Sequence, residues 1–158
     1  SGDPAAITVR SVYTNVSDAR VRGAELSLAW QLGARWFLQG GWEYIDARDA
    51  SSDERLRDRS RQIARLGVRY DAGRLSADVQ ARYHFDYYNS DPNDRSTNAP
   101  AFNSNFGATD LKLSYRVTEA LTAAIGVDNV FNTRAPSNYG SATEPAARFA
   151  YVSGRYVF

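Results

Sequence analysis

The sequence predicts an all-β fold, an antiparallel transmembrane β-barrel with about eight strands in this chain. Three observations predict it: apolar and polar residues alternate in eight successive segments, short and long connections alternate, and aromatic residues recur at two levels along the strands. Alternation with a period of two gives a strand two different faces. Strands of about ten residues with this pattern are typical of barrels that span a bilayer.

Composition narrows the classes of function. The 158 residues carry a net charge of +1, so electrostatics gives no reason to expect a nucleic-acid partner. The absence of Cys excludes disulfide frameworks and thiolate catalysis. The mean hydropathy is −0.50. No apolar run in the sequence approaches the length of a membrane-spanning helix, roughly 20 residues. The chain has no Met, which indicates a processed protein or a piece of a longer one.

The alternating segments follow one another in chain order. The first, 7–15, alternates least clearly. In the later segments every second residue is apolar, aromatic or small over 24–32, 36–44, 64–70, 75–87, 111–117, 121–127 and 150–158. These runs predict strands of roughly 8–12 residues, longer than the usual globular strand of about 5–6.

The connections fall into two groups. Residues 32–36, 70–75 and 117–121 predict tight turns, whereas 48–57, 89–105 and 133–147 are long and rich in Ser, Asn, Asp and Pro. The 15–20 connection alone is short where a long one is expected. Because short periplasmic turns and long extracellular loops are typical of outer-membrane barrels, we expect both ends of the chain on the periplasmic side.

Aromatic residues lie at both ends of the predicted apolar band. From Trp36 to Tyr44 the chain spans roughly 20 Å after tilt, close to the ~25 Å apolar band of such barrels. We therefore predict membrane girdles, and outer-membrane lipid as a partner, at Trp30, Trp36, Trp42, Tyr44, Tyr70, Tyr83, Phe85 and Tyr115. A soluble β-sandwich also alternates, but it need not sort its loops by length.

Four stretches resemble a known family. Residues 124–132 (AIGVDNVFN) resemble the penultimate-strand signature of TonB-dependent outer-membrane receptors, and 21–26 (VRGAEL) resemble a strand opening in that family. Residues 58–62 (DRSRQ) resemble another strand start, with Ser60 where Pro is common and Gln62 where His is common. The ending 153–158 (SGRYVF) resembles the terminal strand of the cobalamin and siderophore receptors.

The resemblance implies a function and partners. Such receptors are 22-stranded barrels of the Gram-negative outer membrane, plugged by an N-terminal domain, that take up iron-siderophores or cobalamin. The resemblance implies that the chain is a single barrel segment over 1–158, the C-terminal strands of such a receptor, with no plug domain. Its implied partners are the remainder of the receptor (plug and other strands), the TonB complex through the missing N-terminal region, and the outer-membrane insertion machinery. The alternative is an autonomous eight-stranded barrel, closed on itself, acting as anchor, adhesin or small pore.

Two groups of residues are candidate sites. The terminal strand resembles the signal read by the insertion machinery, carried by Gly154, Tyr156 and Phe158. A possible ligand-contacting set lies in or beside the longest loop, because Tyr and Arg are adaptable contacts for a bulky ligand: Tyr87, Tyr88, Arg95, Phe102 and Phe106.

No enzymatic chemistry is predicted. His84 is the one His of the chain and has no Cys beside it, so we expect no transition-metal site, no cofactor and no catalytic residue. One long loop carries a cluster of acidic residues: Asp46, Asp49, Asp53, Glu54 and Asp58. Such oxygen-rich loops can bind Ca²⁺, but this one lacks the spacing of an EF-hand, and we interpret it as a solvated loop.

Overall fold

The computed structural model describes residues 6–16, 19–57, 59–90, 101–134 and 146–158, with the backbone alone for 6–16, 89–90 and 101–103. The described residues form eight strands, β1 (Ala6–Val16), β2 (Ala19–Leu32), β3 (Trp36–Asp49), β4 (Arg59–Asp71), β5 (Leu75–Ser90), β6 (Ala101–Arg116), β7 (Leu121–Asp128) and β8 (Phe149–Tyr156). The predicted all-β, antiparallel fold is confirmed. In the part of the chain described, no helix is long and apolar enough to cross a bilayer.

All eight strands lie in one antiparallel sheet, and each pairs with its neighbours in sequence. β1 and β8 are therefore the two edges, and their described residues do not pair with each other. A barrel closed at eight strands would require a hydrogen-bonded ladder between these two edges. Since their described residues form none, the sheet is open. The strands thus form one open antiparallel sheet, as a section of a larger barrel wall would.

From β2 to β8, one face of the sheet is apolar. In register, Leu26 lies opposite Trp42, Trp42 opposite Ala64, and Ala64 opposite Tyr83. Most large side chains of this outer face are exposed, including Leu28, Trp30, Trp36, Leu66, Val79, Leu111, Leu113, Ile125 and Val152. A sandwich would cover such a face with a second sheet. An exposed apolar band is the arrangement that contact with lipid requires.

The opposite face, here called the inner wall, is polar. Its charged side chains alternate with the apolar set along β2 to β8, and they include Glu25, Glu43, Arg65, Arg69, Asp78, Arg82, Asp110, Lys112, Arg116 and Arg155. Asp78 lies opposite Arg69 on one side and opposite Lys112 on the other. Opposite charges in directly facing positions stabilise neighbouring strands by a few tenths of a kcal/mol.

The short connections lie at one end of the sheet, here called the turn end, and the longer ones at the other, the loop end. Gly33 and Gly73 have φ of +66° and +83°, which only Gly adopts without strain. The carboxylate of Asp71 accepts a hydrogen bond of 2.8 Å from the Gly73 N–H. The hydroxyl of Thr118 accepts one of 3.0 Å from the Leu121 N–H. Local capping thus fixes the turns that the sequence predicted.

The predicted girdle residues lie where the alternation places them. At the turn end the Trp36 and Tyr70 rings are 4.6 Å apart, and toward the loop end Tyr83 and Phe85 are also 4.6 Å apart. Trp42 donates a hydrogen bond from Nε1 to Oε1 of Gln62 at 3.2 Å, which pairs its polar atom on an apolar face. The lipid contact itself stays a prediction.

Candidate functional site at the loop end of the inner wall

A β-bulge in β5 determines the geometry of the loop end. The register against β6 shifts between the pairs His84–Phe106 and Tyr87–Ser104, so β5 carries one extra residue there. Asp86 occupies the bulge with φ of +51°, a left-handed conformation that Asp tolerates better than most residues. The extra residue brings Tyr87 into the same cluster as His84.

Three rings form the most buried cluster of the described chain. The His84 and Phe106 rings stack at 4.6 Å with an angle of 9°, and the Tyr87 ring meets Phe106 edge-on at 5.2 Å. Tyr87 is fully buried and Phe106 is 3% exposed. The Ser60 hydroxyl lies 2.9 Å from Nδ1 of His84, so these two buried polar groups are each other's partner. This cluster fixes β4, β5 and β6 to one another near the loops.

Arg55 attaches the β3–β4 loop to the bulge. Its guanidinium forms an ion pair with Oδ1 of Asp86 at 3.1 Å and a short hydrogen bond to the Asp86 carbonyl oxygen. It also lies 4.9 Å from the centre of the Tyr88 ring, within the range of a cation–π contact. Arg61 approaches the other carboxylate oxygen of Asp86 at 3.6 Å. One carboxylate therefore holds two arginines from different segments.

The acidic loop is held by internal bonds. Asp49 accepts hydrogen bonds from the Ser51 and Ser52 N–H groups at 2.8 and 2.9 Å, and one from the Ser51 hydroxyl. These bonds, the Ser51 hydroxyl first among them, lower the pKa of Asp49 to about 2 at the end of β3, beyond the loop-end girdle. Arg48 pairs with Asp46 at 3.1 Å and with Asp53 at 3.3 Å. Asp58 lies outside the described residues.

The structure places four members of the predicted ligand-contacting set in strands. Tyr87 and Tyr88 lie in β5, and Phe102 and Phe106 lie in β6. Pairing between these strands continues past the bulge to Ser90 and Ala101, so Phe102, expected in the 89–105 connection, lies in a strand. Tyr87 and Phe106 are buried, which leaves Tyr88 as the described member open to contact. Arg95 lies outside the described residues, and ligand contact by this set stays a prediction.

The inner wall also forms a concave surface toward the turn end. It borders an open volume of about 630 Å³, and half of its lining residues are charged, with Arg69, Asp78, Lys112, Arg116 and Arg155 among them. Acid and base side chains are interspersed along it. A surface of this composition suits contact with a polar protein domain or with water rather than with lipid.

The motif residues at 128–132 join the last two strands. The Asn129 side chain is buried and donates from Nδ2 to the carbonyl oxygens of Thr133 and Ala146 at 2.8 and 2.7 Å. Its Oδ1 accepts the Thr133 N–H at 3.0 Å. Asn129 and Asn132 have φ of +48° and +52°, which Asn adopts more readily than other non-Gly residues.

The predicted assembly residues lie at or just beyond the last strand. Gly154 and Tyr156 lie in β8, opposite Ala123 and Leu121 of β7. Phe158 follows the strand, is fully exposed, and meets the Tyr156 ring edge-on at 5.1 Å. The Val157 N–H donates to the Ala120 carbonyl oxygen at 2.9 Å. Recognition by the insertion machinery stays a prediction.

Sequence reasoning missed Arg55, Ser60 and the role of Asp86. Each is a polar residue in a polar stretch, and alternation gives no signal for a bulge. Asp86 falls on the polar set of the alternation over 75–87, so the pattern continues through it without interruption.

Comparison with known proteins gives consistent similarities. A family model described as "TonB dependent receptor-like, beta-barrel" matches residues 1–130. The vitamin B12 transporter BtuB of Photobacterium profundum is 29% identical over 118 residues, which cover 75% of this chain and 18% of that protein. The chain therefore spans about a fifth of the length of this relative.

Two solved structures have the same fold. The ferripyoverdine receptor of the outer membrane of Pseudomonas aeruginosa is 21% identical, with a TM-score of 0.68 over 87% of this chain and 19% of that one. The copper transporter OprC is also 21% identical, with a TM-score of 0.67 over 98% of this chain and 27% of that one. Each structure is matched over a limited part of its own chain, as expected if the open sheet is one section of a larger wall.

Proposed function

Since the chain belongs to the TonB-dependent receptor-like β-barrel family, we propose that it forms the C-terminal wall of a receptor for a scarce ligand. The chain lies in the outer membrane of a Gram-negative bacterium. In the proposal, uptake through the complete receptor is driven by the TonB complex, and this chain supplies strands and extracellular loops. The ligand is of the iron-siderophore or cobalamin class.

The open sheet is the observation that carries the proposal. An eight-stranded barrel closes around an interior that its own side chains fill. Here the two edges, β1 and β8, are far apart in strand order, and the wall between them has a charged inner surface. Such a wall suits a wide lumen that holds water or a plug. This geometry favours uptake over the alternative of an autonomous anchor, adhesin or small pore.

The relatives support the ligand class by their names. BtuB transports vitamin B12, and the Pseudomonas receptor binds ferripyoverdine. The relatives are named as transporters or receptors, and we infer no catalytic activity for this chain. At the loop end, Tyr88 is partly exposed and presents an aromatic side chain near the entrance, which suits contact with a bulky ligand.

Deletion and complementation test the proposal. The gene for the complete receptor would be deleted, and growth measured with ferric siderophores or cobalamin as the limiting nutrient. The proposal expects growth to fail on one ligand class, to return with the intact gene, and to fail again in a strain without TonB. Normal uptake of every such ligand in the deletion strain, or uptake independent of TonB, would contradict it.

A further inference from the structure

Three arginines form a row at the turn end of the inner wall. Arg116 of β6 lies opposite Thr122 of β7, and Thr122 lies opposite Arg155 of β8. On the other side, the Arg116 N–H donates to the Arg74 carbonyl oxygen at 2.8 Å, which places Arg74 beside Arg116. Arg74, Arg116 and Arg155, here called the arginine row, all line the concave surface at this end. Three strand spacings of about 4.8 Å separate the outer two, a distance that extended Arg side chains can bridge.

The arginine row has no counter-charge among the described residues. None of its three side chains forms an ion pair with a residue that the structure describes. All three are exposed, so their guanidinium groups are open to contact. Like charges on neighbouring strands destabilise the pairing, and an anion bound between them would remove that repulsion.

The acids around the row are occupied or distant. Asp71 accepts a hydrogen bond of 2.8 Å from a backbone N–H of its own turn, and Asp78 is shared by basic residues of both neighbouring strands. Glu119, in the β6–β7 turn, is exposed and forms no ion pair with the row. Asp110 and Asp128 line the same surface but lie about 20 Å further along their strands.

A depression lined by hydroxyl groups adjoins the arginine row on its loop-end side. The next row of the wall consists of small residues in register, all on the same concave surface: Ser76, Ser114, Ala124 and Ser153. Beyond them the Tyr151 ring lies over Gly126, where a Cβ atom would collide with it. The small row therefore leaves space between the arginines and Tyr151, with three hydroxyls that can donate hydrogen bonds.

We propose that the arginine row and the adjoining serines bind a carboxylate or phosphate group of the transported ligand at the turn end of the wall. The inference rests on the proposed function, because it requires a ligand that crosses the barrel. Guanidinium groups bind both anions in bidentate geometry. Three cations around one depression exceed the single charge of an Asp or Glu side chain, which favours a polyanionic ligand over a carboxylate of the receptor itself. Because exposed ion pairs are weak, a ligand held here can leave.

Calorimetric titration of the complete receptor with inorganic pyrophosphate tests the site. The affinity should fall about tenfold or more in the double variant Arg116→Gln/Arg155→Gln, because each charge-assisted hydrogen bond contributes at least about that factor. Arg69→Gln is the matched control, since it removes a cation of the same concave surface that lies beside Asp71 and Asp78, and it should leave the affinity unchanged. No binding to the unaltered receptor, or equal losses in both variants, would overturn the proposal.

Two competing occupants of the row are tested in the same receptor. In Arg116→Lys, carbodiimide should couple position 116 to no carboxylate of the receptor, while native Lys112, opposite Asp78, reports that the reagent reaches the wall. Efficient coupling of position 116 to an Asp or Glu would assign the row to the receptor's own acids. Displacement of pyrophosphate by phosphatidylglycerol added to the micelles would assign it to a lipid headgroup. Either result would overturn the proposal.

Uptake by cells shows whether the transported ligand uses the site. The probe is the ferric siderophore or cobalamin that supports growth in the complementation test. The double variant should take it up more slowly than the unaltered receptor, with unchanged affinity at the cell surface in a strain without TonB. An unchanged uptake rate would contradict the role in transport. If the unaltered receptor takes up neither ligand class, the proposed function fails, and pyrophosphate binding still shows separately whether the row is an anion site.

Discussion

The carboxylate of Asp110 in β6 accepts a hydrogen bond of 2.7 Å from the backbone N–H of Asn129, just past the end of β7. The neighbouring Val130 N–H donates to the Thr109 carbonyl oxygen at 2.8 Å. The Asn129 side chain then reaches the segment that leads into β8. This chain of bonds connects three strands at the loop end, and it gives a physical reason for the Asp-Asn-Val-Phe-Asn sequence at 128–132.

Removing the Asn129 side chain should destabilise the last strand. Asn129→Ala loses the three hydrogen bonds made by the buried Asn129 side chain, which costs about 2–3 kcal/mol in total at roughly 1 kcal/mol each. Unfolding by urea in micelles would measure it. Asn129→Gly is the matched control because it loses the same bonds but suits the positive φ, and should be less damaging by about 1 kcal/mol. Equal stability of Asn129→Ala and the parent would show that these bonds are not needed.

Removing Arg55 should release the β3–β4 loop. Arg55→Ala loses the ion pair with Asp86 and the contact with Tyr88, and hydrogen bonds to charged groups contribute about 1.5–3 kcal/mol. The Leu56 N–H donates to the Ala47 carbonyl oxygen at 2.9 Å. A loss of this free energy should accelerate amide hydrogen exchange at Leu56 by about one to two orders of magnitude. Arg59→Ala, which removes an exposed guanidinium nearby, should leave this exchange unchanged.

Low pH should destabilise the β3–β4 loop, because Asp49 becomes protonated. Its pKa is lowered to about 2 in the folded loop from an ordinary value of 3.8, so the carboxylate form is favoured by folding. The stabilisation is therefore present above about pH 4 and is lost as pH falls through about 2. Ser51→Ala, which removes the largest cause, should raise the pKa of Asp49 toward its ordinary value in a carbon-13 NMR titration. An unchanged pKa in that variant would contradict the assigned cause.

The girdle assignment predicts where each Trp lies in the bilayer. Variants that keep only Trp36 or only Trp42 would report the turn-end and loop-end levels separately, since both side chains are exposed on the apolar face. Bromine near the headgroups should quench both more strongly than bromine near the chain ends, because aromatic girdles lie at the interface. Strong quenching of either Trp by aqueous iodide, with none by brominated lipid, would place that face in water.

Strands and faces could be predicted from the sequence because the two sides of the wall meet different solvents. A face that meets lipid admits few polar groups, and every second residue from Leu75 to Tyr83 is apolar; the register then follows from matching such faces. The turns were predictable for a local reason, since Gly33 and Asp71–Gly73 carry their own conformational requirement.

The loop end could not be predicted in the same way. The left-handed backbone of Asp86 shifts the register between His84 and Tyr87, and an alternating pattern gives no signal for an inserted residue. Tyr87 was expected to contact ligand from its place beside the longest loop, whereas in the structure it is fully buried and packs against Phe106. The Arg55–Asp86 pair joins residues 31 positions apart, a contact that only the folded sheet creates.

The distance between β1 and β8 in the membrane tests most directly whether this chain is a section of a larger wall. Spin labels would be placed at Ile7 and Ala150 in the complete receptor, and their separation measured by double electron–electron resonance. Eight strands about 4.8 Å apart give a contour of roughly 34 Å between the edges, so a curved wall predicts a separation on the order of 25–35 Å. A separation near the ~5 Å of adjacent strands, allowing for the labels, would mean that the eight strands close on themselves and would contradict the account.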